Sequence, residues 1–299
     1  MTRKEKHMRK YIFDTDLGSD CDDCGALAVL CDGVKKGIAD LIAVTHCTSE
    51  IYGVYGARSI LDWFGVDCPV GQTSRTGFQD KDAEKHYAYP MMQDYLTDHD
   101  PVEFPDAVAV LRKALRDNRD VTMIFVGPMV NMEDLLRSQP DEISPLDGVS
   151  LVKQSVREVV VMGGDFGDFE HGEWNIFANV PAAQYMSEHC PAPIIYCGFE
   201  AGRDIMTGET LWDCPERYPV RIGYWNFFGG GKGVRNSWDP VTVYYALYPE
   251  KDWEISKECS IRFDDAGRSL VTEGKGAFHV RYRDEEWMKN ELNRIMGLK

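Results

Sequence analysis

Tyr11-Ile-Phe-Asp-Thr-Asp-Leu-Gly-Ser-Asp-Cys-Asp-Asp-Cys-Gly-Ala-Leu-Ala-Val-Leu-Cys31 is the stretch on which the reading of this chain turns. It opens on three apolar residues, Tyr11 to Phe13, which read as a short strand. It turns at Gly18-Ser19 and runs into Gly25 to Cys31, the apolar start of a helix. Between strand and helix lie five acids in ten residues, Asp14, Asp16, Asp20, Asp22 and Asp23, with no Lys or Arg among them; Asp32 follows. Asp22 and Asp23 fall at the helix N-terminus, where carboxylates are favoured. Capping uses only one or two acids. Five carboxylates this close repel one another unless something positive sits between them, and a hard divalent cation, which prefers oxygen ligands, is the simplest candidate. The spacing is not that of an EF-hand, which needs acids at alternate positions, a central Gly and a closing Glu.

Working outward, the 299 residues and 43% hydrophobic content suit one α/β domain with an ample core. That domain is expected over residues 11–299, after a basic extension at 1–10 (Arg3, Lys4, Lys6, Arg9, Lys10) that lacks the apolar core of a secretory signal. A net charge of −16 disfavours nucleic acid and anionic membrane as partners, but not nucleosides, which carry no phosphate. No apolar run is long enough for a membrane span. The nine cysteines are odd in number and scattered. Cys21-Asp-Asp-Cys24 has no second pair to make a zinc site, and Cys31, Cys47 and Cys197 lie in apolar runs, so a reduced, cytoplasmic protein is expected.

Short apolar runs recur at Leu41 to Thr45, Val121 to Val126, Val159 to Met162 and Pro193 to Cys197. Helical stretches lie between them at Tyr52 to Phe64, Pro105 to Arg116 and Ala182 to His189. This alternation predicts βαβ units and a largely parallel, Rossmann-like central sheet flanked by helices. Ligands of such sheets bind outside the carboxyl ends of the strands. Asp16, Val126, Gly163 and Gly164 all fall at such ends, so the separate blocks converge on one pocket.

Asp14 to Ala28 resembles the opening motif of the inosine-uridine-type nucleoside hydrolases, Asp-x-Asp-Pro-Gly-x-Asp-Asp-Ala-x-Ala. Three further blocks agree in order and spacing. Val121 to Asn131 resembles the family's strand followed by Gly-Pro-Leu-Thr-Asn. Arg157 to Gly164 with Glu173 to Ala183 resembles Val-Met-Gly-Gly followed by Glu-Phe-Asn-Ile. Ser237 to Ala246 resembles the late His-Asp-Pro block, so the likeness covers roughly residues 10–250. The resemblance implies the nucleoside hydrolase fold and hydrolysis of the N-glycosidic bond of a nucleoside. In that family a Ca²⁺ ion holds the attacking water and the ribose hydroxyls.

Carried over, the resemblance makes Asp16 a metal ligand and the general base, with Asp23, Asp239 and the backbone carbonyl of Val126 as further ligands. Asp22, Glu173 and Asn175 become ribose contacts, the last two brought to one face by an extended Glu-Trp-Asn segment, and Met162 lines the sugar pocket. Trp238 stands where many members carry a proton-donating His; the purine-preferring branch has an aromatic there, so Trp238 reads as a stacking platform for a purine base. His86, flanked by Tyr87 and Tyr89, is a candidate donor on a lid, and Phe227 to Gly233 resembles a lid loop. Asp14 and Asn131 read as structural, Asp14 bracing the Gly127-Pro128 loop. Relatives assemble as homodimers or homotetramers.

The chain departs from the pattern in three places. Gly18-Ser-Asp-Cys-Asp-Asp23 is two residues longer than Gly-x-Asp-Asp, which leaves Asp20 as an alternative ribose contact. Thr48-Ser-Glu50 replaces the Asn after the second strand, and Asp168 and Glu170 occupy the region of the Asn before Glu173. Two other readings therefore stand beside the hydrolase: a family relative that binds a nucleoside or sugar with little turnover, and a phosphatase opening on Asp-x-Asp. The phosphatase leaves the Glu-Trp-Asn block unexplained.

Overall fold

The computed structural model describes residues 8–167 and 172–299. Asp168 and Glu170, and most of the basic extension, lie outside the described residues. The strands are β1 (Arg9–Thr15), β2 (Ala39–His46), β3 (Val70–Gln72), β4 (Val121–Phe125), β5 (Val156–Met162), β6 (Ile194–Cys197), β7 (Met206–Thr207), β8 (Arg235–Asn236), β9 (Trp253–Ile255), β10 (Cys259–Phe263), β11 (Ser269–Glu273) and β12 (Ala277–Tyr282). The helices are α1 (Asp22–Lys35), α2 (Tyr52–Phe64), α3 (Ala88–Asp98), α4 (Ala107–Asp117), α5 (Val130–Arg137), α6 (Gly148–Ser155), α7 (Trp174–Phe177), α8 (Val180–His189), α9 (Phe199–Gly202), α10 (Pro219–Phe227), α11 (Trp238–Leu247) and α12 (Glu285–Met296).

Ten strands form one sheet in the order β11-β10-β12-β6-β5-β4-β1-β2-β3, with β9 on β12. From β3 to β12 the neighbours are parallel, as the alternation predicts. The strands that join near the carboxyl terminus, β9, β10 and β11, run antiparallel. Side chains alternate across the sheet. Tyr11 and Phe13 enter the core under α1, whereas Ile12 enters the core on the opposite face, and Met123 and Ile124 divide the same way. A strand buried on both faces reads as a continuous apolar run, which is why β4 and β5 are legible in the sequence. The first strand begins at Arg9, two residues before the expected domain start.

Helix α1 begins at Asp22 and packs against α11, so the amino ends of both helices approach the carboxyl end of β1. All nine cysteines are free thiols. Among the described residues no helix is long and apolar enough to cross a membrane.

Candidate active site at the carboxyl edge of the sheet

A cavity of about 570 Å³ opens over the carboxyl ends of β1, β4, β5 and β6. Its described lining includes Asp16, Asp20, Asp22, Asp23, Val126, Met162, Glu173, Asn175, Trp238 and Asp239, which the sequence blocks point to.

Each acid is placed by a specific local device. The β1–α1 turn bends at Gly18, whose φ of 145° lies in the region that side chains disfavour. The turn is clasped from α3: the Tyr87 hydroxyl accepts from the Gly18 N–H (2.9 Å) and donates to the Asp20 carbonyl (2.6 Å). Asp16 follows β1 directly and accepts from the Ser19 hydroxyl at 3.3 Å. Gly127 lets the β4 loop approach, since a Cβ there would stand 2.8 Å from Asp16 Oδ1. Asp23 accepts a short hydrogen bond from the Thr15 hydroxyl. Asp239 reaches the site from the first turn of α11, and its backbone N–H donates to Asp22 Oδ2 at 3.1 Å.

Asp22, Asp23 and Asp239 are all buried, and one oxygen of each lies within 4.8 Å of the others. Among the described residues none of these three, nor Asp16, forms an ion pair with a basic side chain. Burial first, and then the neighbouring carboxylates, push the carboxyls of Asp23 and Asp239 well above the usual range. Burial likewise raises Asp22, against a smaller opposing effect from Arg235. Burial also lifts Asp16 to about 7. Carboxylates so placed fit a hard divalent cation: it supplies the missing positive charge, and oxygen is the donor such ions take. Val126 adds a backbone carbonyl at the cavity wall, which accepts from Asn175 Nδ2 at 2.7 Å.

Glu173 and Asn175 reach the cavity, but not along an extended segment. Glu173 caps α7, accepting from the N–H groups of Asn175 (3.0 Å), Ile176 (3.4 Å) and, across the loop, Gly164 (3.2 Å). A carboxylate oxygen at the N-cap satisfies the orphan donors of the first turn, and that competes successfully with an extended conformation. Met162 closes the floor between them, its thioether 3.2 Å from Asn175 Nδ2.

Three further expectations change. His86 does not line the cavity; it ends the short turn Ala83–Lys85, while Tyr87 beside it points inward. Asp20 lines the cavity, but both its oxygens are engaged by Arg235, so they are turned away from a sugar-contact role. Asp14 does not brace the Gly127-Pro128 loop by its side chain. Its Oδ2 accepts from Thr45 Oγ1 (2.5 Å) and Asn131 Nδ2 (2.7 Å), tying β1 to β2 and α5, and Asn131 also reaches the His46 carbonyl. The Phe227 to Gly233 segment ends α10 and leads through two positive-φ glycines, Gly229 and Gly230, into β8.

Other lining residues went unremarked in the sequence: Phe199 and Glu200 after β6, Trp174 at the start of α7, and Arg203 and Arg235. The strand-end rule points to the β6 loop, since Pro193 to Cys197 is a clear strand. Arg235 stands four residues before Asp239, two residues ahead of the Ser237 to Ala246 block.

The chain matches the family model described as inosine-uridine preferring nucleoside hydrolase over residues 11–293, almost its whole length. The chain belongs to the nucleoside hydrolase family. Its reaction class is the hydrolysis of a nucleoside to ribose and free base. Over 219 residues it is 27% identical to the non-specific ribonucleoside hydrolase RihC of Escherichia coli O1:K1, covering 70% of this chain and 68% of that one. The fold is similar to that of the inosine-uridine preferring nucleoside hydrolase of Bacillus anthracis, with a TM-score of 0.74 at 18% identity over 97% of this chain and 99% of that one. It is also similar to a purine-preferring ribonucleoside hydrolase of Gardnerella vaginalis, at a TM-score of 0.69 and 20% identity over 97% and 99% of the two chains. This nucleoside hydrolase keeps the family's acidic turn, lengthened by two residues, and its late Asp-Pro pair at Asp239-Pro240.

Proposed function

We propose that this nucleoside hydrolase is a Ca²⁺-dependent enzyme that cleaves the bond between C1′ of ribose and the ring nitrogen of a purine base. The observation that carries the proposal is the convergence of buried Asp22, Asp23 and Asp239 within 4.8 Å, beside Asp16 in one cavity. Asp16, Asp23, Asp239 and the Val126 carbonyl would hold the ion. When bound, the ion supplies positive charge that keeps the carboxylates ionised and makes a water more acidic.

The chain's own groups account for the rest. Asp16 takes the proton of the water that attacks C1′ and holds that water in line. Asp22 accepts from ribose hydroxyls on the side away from Asp239. Glu173 and Asn175 fix the opposite edge of the sugar, with Met162 beneath. These oxygens present negative charge to the oxocarbenium-like ribosyl group as the base departs. Trp238 offers an aromatic surface for the base, held by its indole N–H, which donates to the Phe199 carbonyl at 2.8 Å.

Incubation with inosine, guanosine, adenosine, uridine and cytidine, followed as reducing sugar with and without chelator, tests the reading. Metal-dependent release of ribose from purine nucleosides is expected; no release from any nucleoside with Ca²⁺ present would overturn it. The same reading includes a cytoplasmic homodimer or homotetramer, which light scattering checks.

A further inference from the structure

Among the described residues, Arg235 is the one basic side chain that joins the acidic turn to the segment leading into Asp239. From β8 it turns onto Asp20: Nε donates to Oδ1 at 2.8 Å, and Nη2 donates to Oδ2. This is a side-on pairing. It uses the Nε/Nη2 edge and leaves the Nη1/Nη2 edge, whose only described acceptor is Asn236 Oδ1 at 3.3 Å. The guanidinium carbon lies 5.0 Å from the Trp238 ring centre and 5.5 Å from that of Phe227. Asp20 and two aromatic rings therefore fix the plane of a guanidinium that borders the cavity with one donor edge to spare.

The cavity's charge decides what that edge can take. Eight carboxylate side chains and two arginines line it among the described residues, so a phosphate would meet strong repulsion even beside a divalent ion. A neutral ligand with two adjacent acceptors is the fitting partner. We propose that Arg235, oriented by Asp20, determines base specificity by donating from its Nη1/Nη2 edge to O6 and N7 of a 6-oxopurine. Guanine and hypoxanthine carry acceptors at both positions, and Arg is the bidentate match to that pair. Adenine carries N7 but has an amino donor at position 6, which would face a second donor. Pyrimidine bases lack N7. The proposal rests on the reading of this cavity as the nucleoside site, with the base beside Trp238. Asp20, which lies in the lengthened part of the motif, acts as the positioning residue.

The test is kcat/KM of the wild type, Arg235→Gln, Arg235→Lys and Asp20→Asn on inosine, guanosine, adenosine and p-nitrophenyl β-D-ribofuranoside, whose leaving group has neither O6 nor N7. Thermal melting establishes that each protein is folded. The wild type should favour inosine and guanosine over adenosine by roughly 10- to 100-fold. Arg235→Gln should lose at least about ten times more on inosine than on the nitrophenyl riboside, bringing inosine and adenosine close together. Arg235→Lys keeps the charge without the fork and should fall between, and Asp20→Asn should shift selectivity the same way. An inosine-to-adenosine ratio that stays as in the wild type in the folded Arg235 variants, or equal losses on all four substrates, overturns the proposal while leaving the hydrolase intact. A wild type that releases ribose from none of the four overturns the hydrolase reading and this proposal together.

Discussion

Asp22 and Asp239 are 217 residues apart in the chain and share a hydrogen bond of 3.1 Å from the Asp239 N–H to Asp22 Oδ2. Each stands in the first turn of its helix, α1 or α11. The bond therefore brings two helix amino ends, each carrying partial positive charge, to one acidic cluster. That field offsets part of the repulsion among Asp16, Asp22, Asp23 and Asp239, but among the described residues no basic side chain pairs with any of the four. The fold is built to be finished by a cation.

Metal removal should therefore be felt in stability as well as in turnover. A ligand that binds only the folded state stabilises it in proportion to the logarithm of its concentration over Kd, about 2.7 kcal/mol at a hundredfold excess. Chelation is expected to lower Tm by several degrees and abolish ribose release, and Ca²⁺ should restore both. Unchanged melting and turnover in a chelated sample shown to be metal-free would contradict the site.

Asp16→Asn preserves volume and the approach of Gly127 while removing the proton acceptor. Its kcat should fall by at least about 10²-fold, the low end for a positioned acid–base group. A folded variant that still gains Ca²⁺-dependent thermal stability yet turns over within a few-fold of the wild type would exclude Asp16 as the base.

Asp14 separates structure from chemistry in the same motif. It is fully buried, does not line the cavity, and burial lifts its carboxyl to about 7 despite hydrogen bonds from Thr45 and Asn131. Asp14→Ala strips the buried Thr45 hydroxyl of its acceptor and leaves Asn131 only its bond to the His46 carbonyl, and an unsatisfied buried polar group costs roughly 1–3 kcal/mol. Denaturant unfolding should show that loss, together with reduced activity because Asp16 is two residues away. Asn131→Ala should be milder on activity. Full stability in Asp14→Ala would mean that the Thr45 and Asn131 bonds do not secure the sheet.

The parallel half of the sheet and the acidic turn are legible in the sequence because their causes are local. Strands buried on both faces read as apolar runs, and acids before a helix read as a cluster. The antiparallel strands are less legible: β10 and β11 form a local hairpin, but β11 is mostly exposed, with Leu270 and Val271 outward, which blurs its alternation, and the hairpin's place in the sheet is set by the pairing of β12 with β6 across a long sequence gap. The site divides similarly. Asp16, Asp22, Asp23 and Asp239 belong to contiguous motifs. The engagement of Asp20 by Arg235 spans 215 residues and depends on where β8 lies, so a sequence reading leaves Asp20 free to be a sugar ligand. His86 misleads for the converse reason: its aromatic neighbours look like a lid, but Tyr87 is a clasp on the Gly18 turn.

Trp238 is the last group whose role divides substrate chemistry from packing. Its ring stacks near Phe199, with centres 5.5 Å apart and planes at 27°, and its backbone directly precedes Asp239. If its surface carries the base, Trp238→Phe should keep part of the activity and Trp238→Ala should lose more. The loss should be greater for inosine than for uridine, because the larger ring system has more area to stack. Base stacking on an aromatic side chain contributes about 1–3 kcal/mol, so roughly 10- to 100-fold in kcat/KM is at stake. Trp238→Phe also removes the indole donor to the Phe199 carbonyl, and the melting temperature of Trp238→Phe against the wild type reads that loss. The measurement is kcat/KM for inosine, adenosine and uridine with all three folded proteins. Equal losses on purine and pyrimidine substrates would make Trp238 a packing residue that positions Asp239, and the base would then have to be held by another aromatic residue of the cavity, such as Trp174.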